Sequence, residues 1–244
     1  HAGVGLPQVI ARLSAQPFRS RERSETEQKT ASSIDVLPVC DSFVAENFVD
    51  KPSALKGMSV ATRLAVAAAR LALDDAGLNI RGQTELALFI GTGNELGQTD
   101  VLLAPVAAAL DTTGHFDLAH LVSNGMQWMN PLTSLQTLPN MALGHIAVQT
   151  GARGPNMSLC DDAESGISVI REGIIALQDE GIPGVLTGAA DSRVAFHARL
   201  AAKRMGRDGL LGECGAFFML EDAEEAEERG AQIWGVLEVL ENNV

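Results

Sequence analysis

Five residues at one point in the chain carry the chemistry this sequence offers: Cys160, Asp161, Asp162, Glu164 and Ser165. A thiol near a helix N-terminus has a lowered pKa and can attack a thioester, and a serine beside acidic groups can do related acyl chemistry. The neighbouring carboxylates oppose a thiolate, so Cys160 reads better as an inert cysteine. Carboxylates at such a junction serve first as caps for free N–H groups, stabilised by the helix dipole. Three acids in four positions exceed what capping requires, which leaves the rim of a site as the alternative. Glu213, ahead of Cys214 in a glycine-rich stretch, reads as a structural acid.

The remaining candidates are weaker. His1, His115, His120, His145 and His197 form no HxxxH or HExxH pair, and no cysteine lies near enough in sequence to complete a zinc set. His145 sits in an apolar stretch and reads as a core or interface histidine. Gly91-Thr92-Gly93-Asn94-Glu95-Leu96-Gly97 comes after a strand-like run, the setting of a dinucleotide loop. Its last spacing is one residue too long for GxGxxG and Pro105 interrupts the next helix, so a tight structural turn is the better reading. Neither a cofactor nor a metal is expected.

These residues need a frame, and the composition bounds it. The chain has 244 residues, 46% hydrophobic, with 24 Gly, no Tyr and a net charge of −13. That length fits one large domain over residues 1–244 or two tightly joined small ones, and buries a core without disulfide or metal staples. Cys40, Cys160 and Cys214 make no disulfide framework, which points to a reducing, cytoplasmic setting. The acidic balance and the 4% aromatic content argue against a nucleic-acid partner. No apolar run reaches the ~18 residues of a membrane span, and the opening residues lack a signal-peptide layout.

The polar stretch 19–33 reads as an exposed loop. Val60, Leu64, Ala67, Ala68 and Leu71 recur at helical spacing, with Gly77 at the C′ position. Glu85–Thr92 reads as a buried strand, succeeded by a helix near Leu138–Thr150 and a strand at Asn156–Cys160. A helix with Ile167, Ile170, Ile174 and Leu177 on one face comes next. Strands at Gly184–Ala190, Cys214–Leu220 and Ile233–Leu240 complete the series, the last two separated by a charged helix over Asp222–Arg229. Buried strands alternating with helices specify an α/β fold with a helix-covered sheet.

The stretch PNMALGHIAVQTGARGPNMSL (Pro139–Leu159) resembles the segment leading into the nucleophile of β-ketoacyl synthases, the condensing enzymes of the thiolase-like fold. Met58–Leu78, Phe89–Gly97, Gly184–Ser192 and Arg207–Leu237 resemble, in order, the family's early helix, its glycine turn, the strand after the nucleophile helix and its RDGxxxGEGAG ending. The resemblance implies a thiolase-like half of βαβαβαββ type with a mixed sheet. It also places the nucleophilic Cys seven residues after the Asn of the GPN motif. Counted from Asn156, that position holds Ala163, and a methyl group forms no thioester. Cys160 lies three residues early, outside attack geometry. In the family the two catalytic histidines come from a second, C-terminal copy of the fold, which this sequence is not expected to contain. The first strand is expected before or within His1–Leu6.

A ketosynthase-like chain without its nucleophile resembles the chain-length factor of type II fatty acid, polyketide and aryl-polyene systems. By that resemblance the partner is an active β-ketoacyl synthase, the ligand an acyl chain, and the acyl carrier protein is met indirectly. The interface and tunnel residues are then Met141, His145, Asn156, Met157, Cys160, Asp162, Ala163, Glu164, Ser165 and Gly166, with Met126, Trp128 and Met129 as an adaptable apolar lining. Arg199, Lys203, Arg204 and Arg207 read as a solvated helix face, the partner supplying the main basic docking patch. The alternatives are an acyltransferase, decarboxylase or thioesterase using Cys160 or Ser165, and a homodimeric module that binds an acyl or polyene ligand.

Overall fold

The computed structural model describes residues 36–37, 43–93, 99–161, 164–206 and 211–237. The loop expected at 19–33 and the residues 94–98, 162, 163 and 207 lie outside this set. The backbone groups into a larger unit, Ala45–Asp191 with Gly215–Val244, and a smaller one, His1–Val44 with Ser192–Cys214.

Helix α1 (Val60–Asp75) opens the larger unit's core. Ser59 caps it, its side chain accepting from the Thr62 N–H, and Gly77 stands just beyond its end at φ +70°. Seven apolar residues from Ala61 to Leu73 are buried, which is why the helix is rich in alanine. Strand β2 (Ala87–Thr92) is buried throughout and pairs in parallel with β3 (Asn156–Leu159) and β4 (Val185–Ser192), after the two-residue β1 (Val36–Leu37). β5 (Leu211–Leu220) runs antiparallel to β4: Gly184 lies beside Leu220, Gly188 beside Ala216 and Phe217, and Ala190 beside Gly215. The larger unit's strands therefore lie in the order β5–β4–β2–β3, a mixed sheet with β3 at one edge.

Between β2 and β3 the chain forms α2 (Leu103–Ala108), short helical turns, and α3 (Met141–Thr150), which ends at Gly151 with φ +74°. Helix α4 (Ser165–Glu180) covers one face of the sheet, packing Val169 and Ala176 onto Ala87, Phe89 and Val185. Leu88 and Ile90 point to the opposite face, where α1 and α3 pack together. Each such fully buried side chain contributes about 2 kcal/mol of transfer free energy.

In the smaller unit β1 pairs in parallel with Leu211 and Gly212, and α5 (Phe196–Arg204) comes after the end of β4. Back in the larger unit, Asp222 caps α6 (Ala223–Glu228). Arg229 then grips the Glu221 carboxylate and donates to the Ala76 carbonyl at 2.7 Å, tying the end of α6 to the end of α1.

Two sequence expectations are corrected. The stripe of α4 is only partly its core face: Ile167 is 76% exposed, Ile170 and Ile174 are half-buried and Leu177 packs beside the core, while Ser165, Val169, Gly173 and Ala176 are buried. The helix lies too close to the sheet for large side chains, since a Cβ on Gly173 would already stand 3.0 Å from Val185. The strand expected at Ile233–Leu240 is absent from its described part. Residues 231–237 form no regular structure, and Trp234 reaches Asp75 Oδ2 at 2.6 Å.

Candidate functional site

The sequence's cluster of reactive residues lies where two parallel strands end. β2 finishes at Thr92 and β3 at Leu159, with Gly91 opposite Leu159 in register. Carboxyl ends of parallel strands are the usual ligand edge of α/β sheets. Cys160 leaves β3 there with an exposed, free thiol. Asp161 is next, and Glu164 donates its N–H to the Asp161 carbonyl at 3.1 Å. Asp162 and Ala163 themselves lie outside the described residues.

Ser165 opens α4 and is 2% exposed. Its Oγ donates to the Thr92 carbonyl and accepts from the Asp161 N–H, both at 3.2 Å. The hydroxyl proton in that bond goes to the main chain of β2, and the same oxygen holds the Asp161 N–H, which pins the start of α4. Of the acids expected to cap, Glu164 stands at the N-cap of α4 but makes no side-chain cap, Asp161 makes none among the described residues, and Asp162 lies outside them.

Gly91 is glycine because α4 crowds it. A Cβ there would lie 2.9 Å from the Ser165 carbonyl carbon and oxygen and 3.1 Å from the Ala189 Cβ. A Cβ on Gly93 would collide with the Asp191 carboxylate. In their described part, the glycines that resembled a phosphate loop instead admit a helix and a side chain. Gly166 continues the close approach, since its Cβ would meet Ala189 at 3.3 Å.

Behind the strand ends, the Pro139 carbonyl accepts from Ser158 Oγ at 3.3 Å and, at the outer limit, from Thr92 Oγ1 at 3.5 Å. These bonds set the turn from which α3 starts at Met141, which is half-buried. Thr92, Pro139 and Ser158 were not singled out in the sequence; the signal available was only hydroxyl residues at strand ends. Thr92, Thr137 and Pro139, with Ser59 and Thr62, line a notch of about one water's size beside this turn.

Asn156 is exposed, its Nδ2 donating to the Gly154 carbonyl at 3.3 Å, and Met157 is half-buried against the core under α4. His145 lies one turn along α3 from Met141. Burial holds its pKa below the usual histidine value of 6.5, with the nearby Gly57 backbone opposing. Its buried Nε2 makes no hydrogen bond. Met126 and Trp128, candidates for the lining, are 52% and 61% exposed. Glu213, in the smaller unit, is half-buried and accepts from Ser192 Oγ at 2.8 Å. Among the described residues no three His, Cys, Asp or Glu are placed to hold a metal, and no helix is long and apolar enough to cross a membrane.

Comparison with known proteins gives one consistent result. The family described as "Beta-ketoacyl synthase, N-terminal domain" matches residues 8–222. A 3-oxoacyl-[acyl-carrier-protein] synthase 2 of Staphylococcus aureus strain N315 is 26% identical, the match covering 95% of this chain and 54% of that protein. The enzyme of the same name from Vibrio harveyi is also 26% identical, over 80% of this chain and 49% of its own. The chain therefore spans about half the length of these curated relatives. Among solved structures, the ishigamide ketosynthase/chain length factor aligns with a TM-score of 0.66 at 24% identity, covering 95% of this chain and 58% of that one. A type II polyketide-synthase acyl-carrier protein in complex with its ketosynthase bound to the hexaketide gives 0.67 at 18% identity, over 84% and 58%. These likenesses establish the thiolase-like α/β fold of ketosynthases.

Proposed function

Because this chain belongs to the β-ketoacyl synthase family, through the N-terminal domain that accounts for most of its sequence, we propose that it acts as a non-catalytic subunit of chain-length-factor type. It pairs with an active ketosynthase of a type II fatty acid, polyketide or aryl-polyene system and helps shape the acyl tunnel. The observation that carries this reading is Ala163, seven residues after Asn156, where the family resemblance places the nucleophile. A side chain without a heteroatom accepts no acyl group.

Other features support pairing. β3 is an edge strand among the described strands, and an open edge offers its backbone to a second sheet. Val148 on α3 is 83% exposed and Ile167 on α4 stands in solvent. Interfaces bury such apolar groups. Met141, His145, Asn156, Met157, Cys160, Asp162, Ala163, Glu164, Ser165 and Gly166 form the proposed contact and tunnel wall, with no cofactor required. One solved neighbour is itself described as a ketosynthase/chain length factor.

Co-expression with a ketosynthase of the same pathway, then size-exclusion chromatography, tests the proposal. A stable heterodimer, with product length altered when this chain is omitted, is the expected result. A monomer, with product length unchanged, overturns it.

The exposed, free thiol of Cys160 favours a second reading, an acyl-thioester acyltransferase, decarboxylase or thioesterase. Intact-mass spectrometry after incubation with an acyl-CoA separates the two. No adduct is expected; one that disappears in Cys160→Ala reverses the choice. Recovery of a homodimer carrying an acyl or polyene ligand, without a ketosynthase, favours the binding-module alternative.

A further inference from the structure

Gln149, in the last turn of α3, has a side chain unlike its surroundings. It is 8% exposed, and among the described residues neither its Nε2 nor its Oε1 makes a hydrogen bond. A primary amide offers donor hydrogens and an acceptor oxygen, and buried polar atoms are nearly always matched because leaving them unmet is costly. The side chains around it supply no match. Val66 and Ala69 of α1, Ile80 and Ile146 are apolar. Thr150 is already engaged: its Oγ1 donates to the Ile146 carbonyl at 2.9 Å and accepts from the Ala152 N–H at 3.2 Å.

The same residues line a cavity of about 10 Å³ where α1 and α3 pack together, the room that one water needs. Apolar cavities of this size stay dry, whereas a buried polar group facing one draws a water in. The amide also selects among possible occupants. It needs a partner that donates to Oε1 and accepts from Nε2. A metal cation takes nothing from an N–H, and a halide gives nothing to a carbonyl. Water bound edge-on to a primary amide does both at once. It keeps a lone pair for a further donor, and Arg70, whose guanidinium carries several N–H groups, lines the cavity as well.

We infer that the seam between α1 and α3 is a binding site for one water, held by the Gln149 amide beside Arg70, and that this water is a fixed part of the fold. Helix α3 starts at the Pro139 turn and ends at Gly151, from which the chain leads into β3. A water pinned to its last turn fixes how α3 is rotated against α1, and with it the approach to β3. The inference goes beyond the type II reading and does not depend on it.

Nuclear magnetic resonance of the full chain tests it, with water itself as the probe. The Gln149 side-chain amide should show a cross-peak to water whose NOE and ROE have opposite signs, which separates a held water from proton exchange with passing solvent. Its hydrogens should also exchange more slowly than those of Gln178, which is exposed on α4. Water relaxation dispersion gives an independent reading. Gln149→Leu, which offers no hydrogen bond, should lose the amplitude of one long-lived water, and Gln149→Asn, which keeps an amide, should retain it. Thermal melts check that both variants fold; if either does not, the cross-peak of the unaltered chain decides alone. A Gln149 amide that exchanges as fast as Gln178 and lacks the cross-peak overturns the inference. So does an unchanged dispersion in folded Gln149→Leu. A Gln149 resonance that titrates with chloride overturns it too, because an anion then occupies the cavity. Formation or failure of a ketosynthase complex moves none of these readouts.

Discussion

Ser165 and Thr92 lie 73 positions apart in sequence, yet the serine's Oγ donates to the threonine's carbonyl at 3.2 Å and fastens the first turn of α4 to the end of β2. Ser165→Ala should destabilise the chain by about 1–2 kcal/mol, because the Thr92 carbonyl and Asp161 N–H lose a buried partner. Urea unfolding monitored by circular dichroism measures it. A loss under a few tenths of a kcal/mol would show that water replaces the hydroxyl.

Gly91→Ala should be more damaging. The added methyl would stand 2.9 Å from the backbone of Ser165, where no flexible side chain can give way. Forced separation of α4 from the sheet costs about 1–3 kcal/mol. The denaturant midpoint should fall with the m-value unchanged.

That pair of positions shows what the sequence could and could not reveal. Helix α1 was legible because its apolar spacing and the Gly77 just beyond its end act locally. The strands were legible as short apolar runs, β2 with Gly91 at its end. The orientation of α4 was not. Hydrophobic periodicity detects large side chains, whereas this interface is built from Ser165, Val169, Gly173 and Ala176 so that helix and sheet can approach. Ile167, the most conspicuous residue of the sequence stripe, faces solvent. At the site, Cys160, Glu164 and Ser165 were legible by type. The bonds linking Ser165 to Thr92 and Ser158 to Pro139 were not, because they depend on register between strands far apart in sequence.

His145 gives the fold a dependence on pH. Burial depresses its pKa, so the folded state favours the neutral ring while the unfolded chain takes up a proton near 6.5. Its contribution is complete above that value and is lost progressively as pH falls towards the depressed folded pKa. Chemical denaturation between about pH 8 and pH 5 should show stability declining on acidification, and His145→Gln should reduce that slope. An identical slope in both proteins removes His145 as the cause.

Arg229 joins two helix ends that otherwise share little. Its guanidinium is paired with Glu221 and also satisfies the Ala76 carbonyl at the end of α1. Arg229→Ala should cost about 1–2 kcal/mol, more than an isolated surface ion pair. Trp234→Phe, which removes only the bond to Asp75, should cost less than about 1 kcal/mol. Thermal melts of the two variants should rank in that order.

The apolar side chains that stand in solvent, among them Val148, Ile167 and Trp128, have a calorimetric consequence. The heat capacity of unfolding counts apolar surface that becomes wet, and these groups are wet already. The isolated chain should therefore fall below about 12–15 cal/mol/K per residue, giving it a shallow stability curve over temperature. Association with the proposed partner would recover the shortfall as a negative heat capacity of binding.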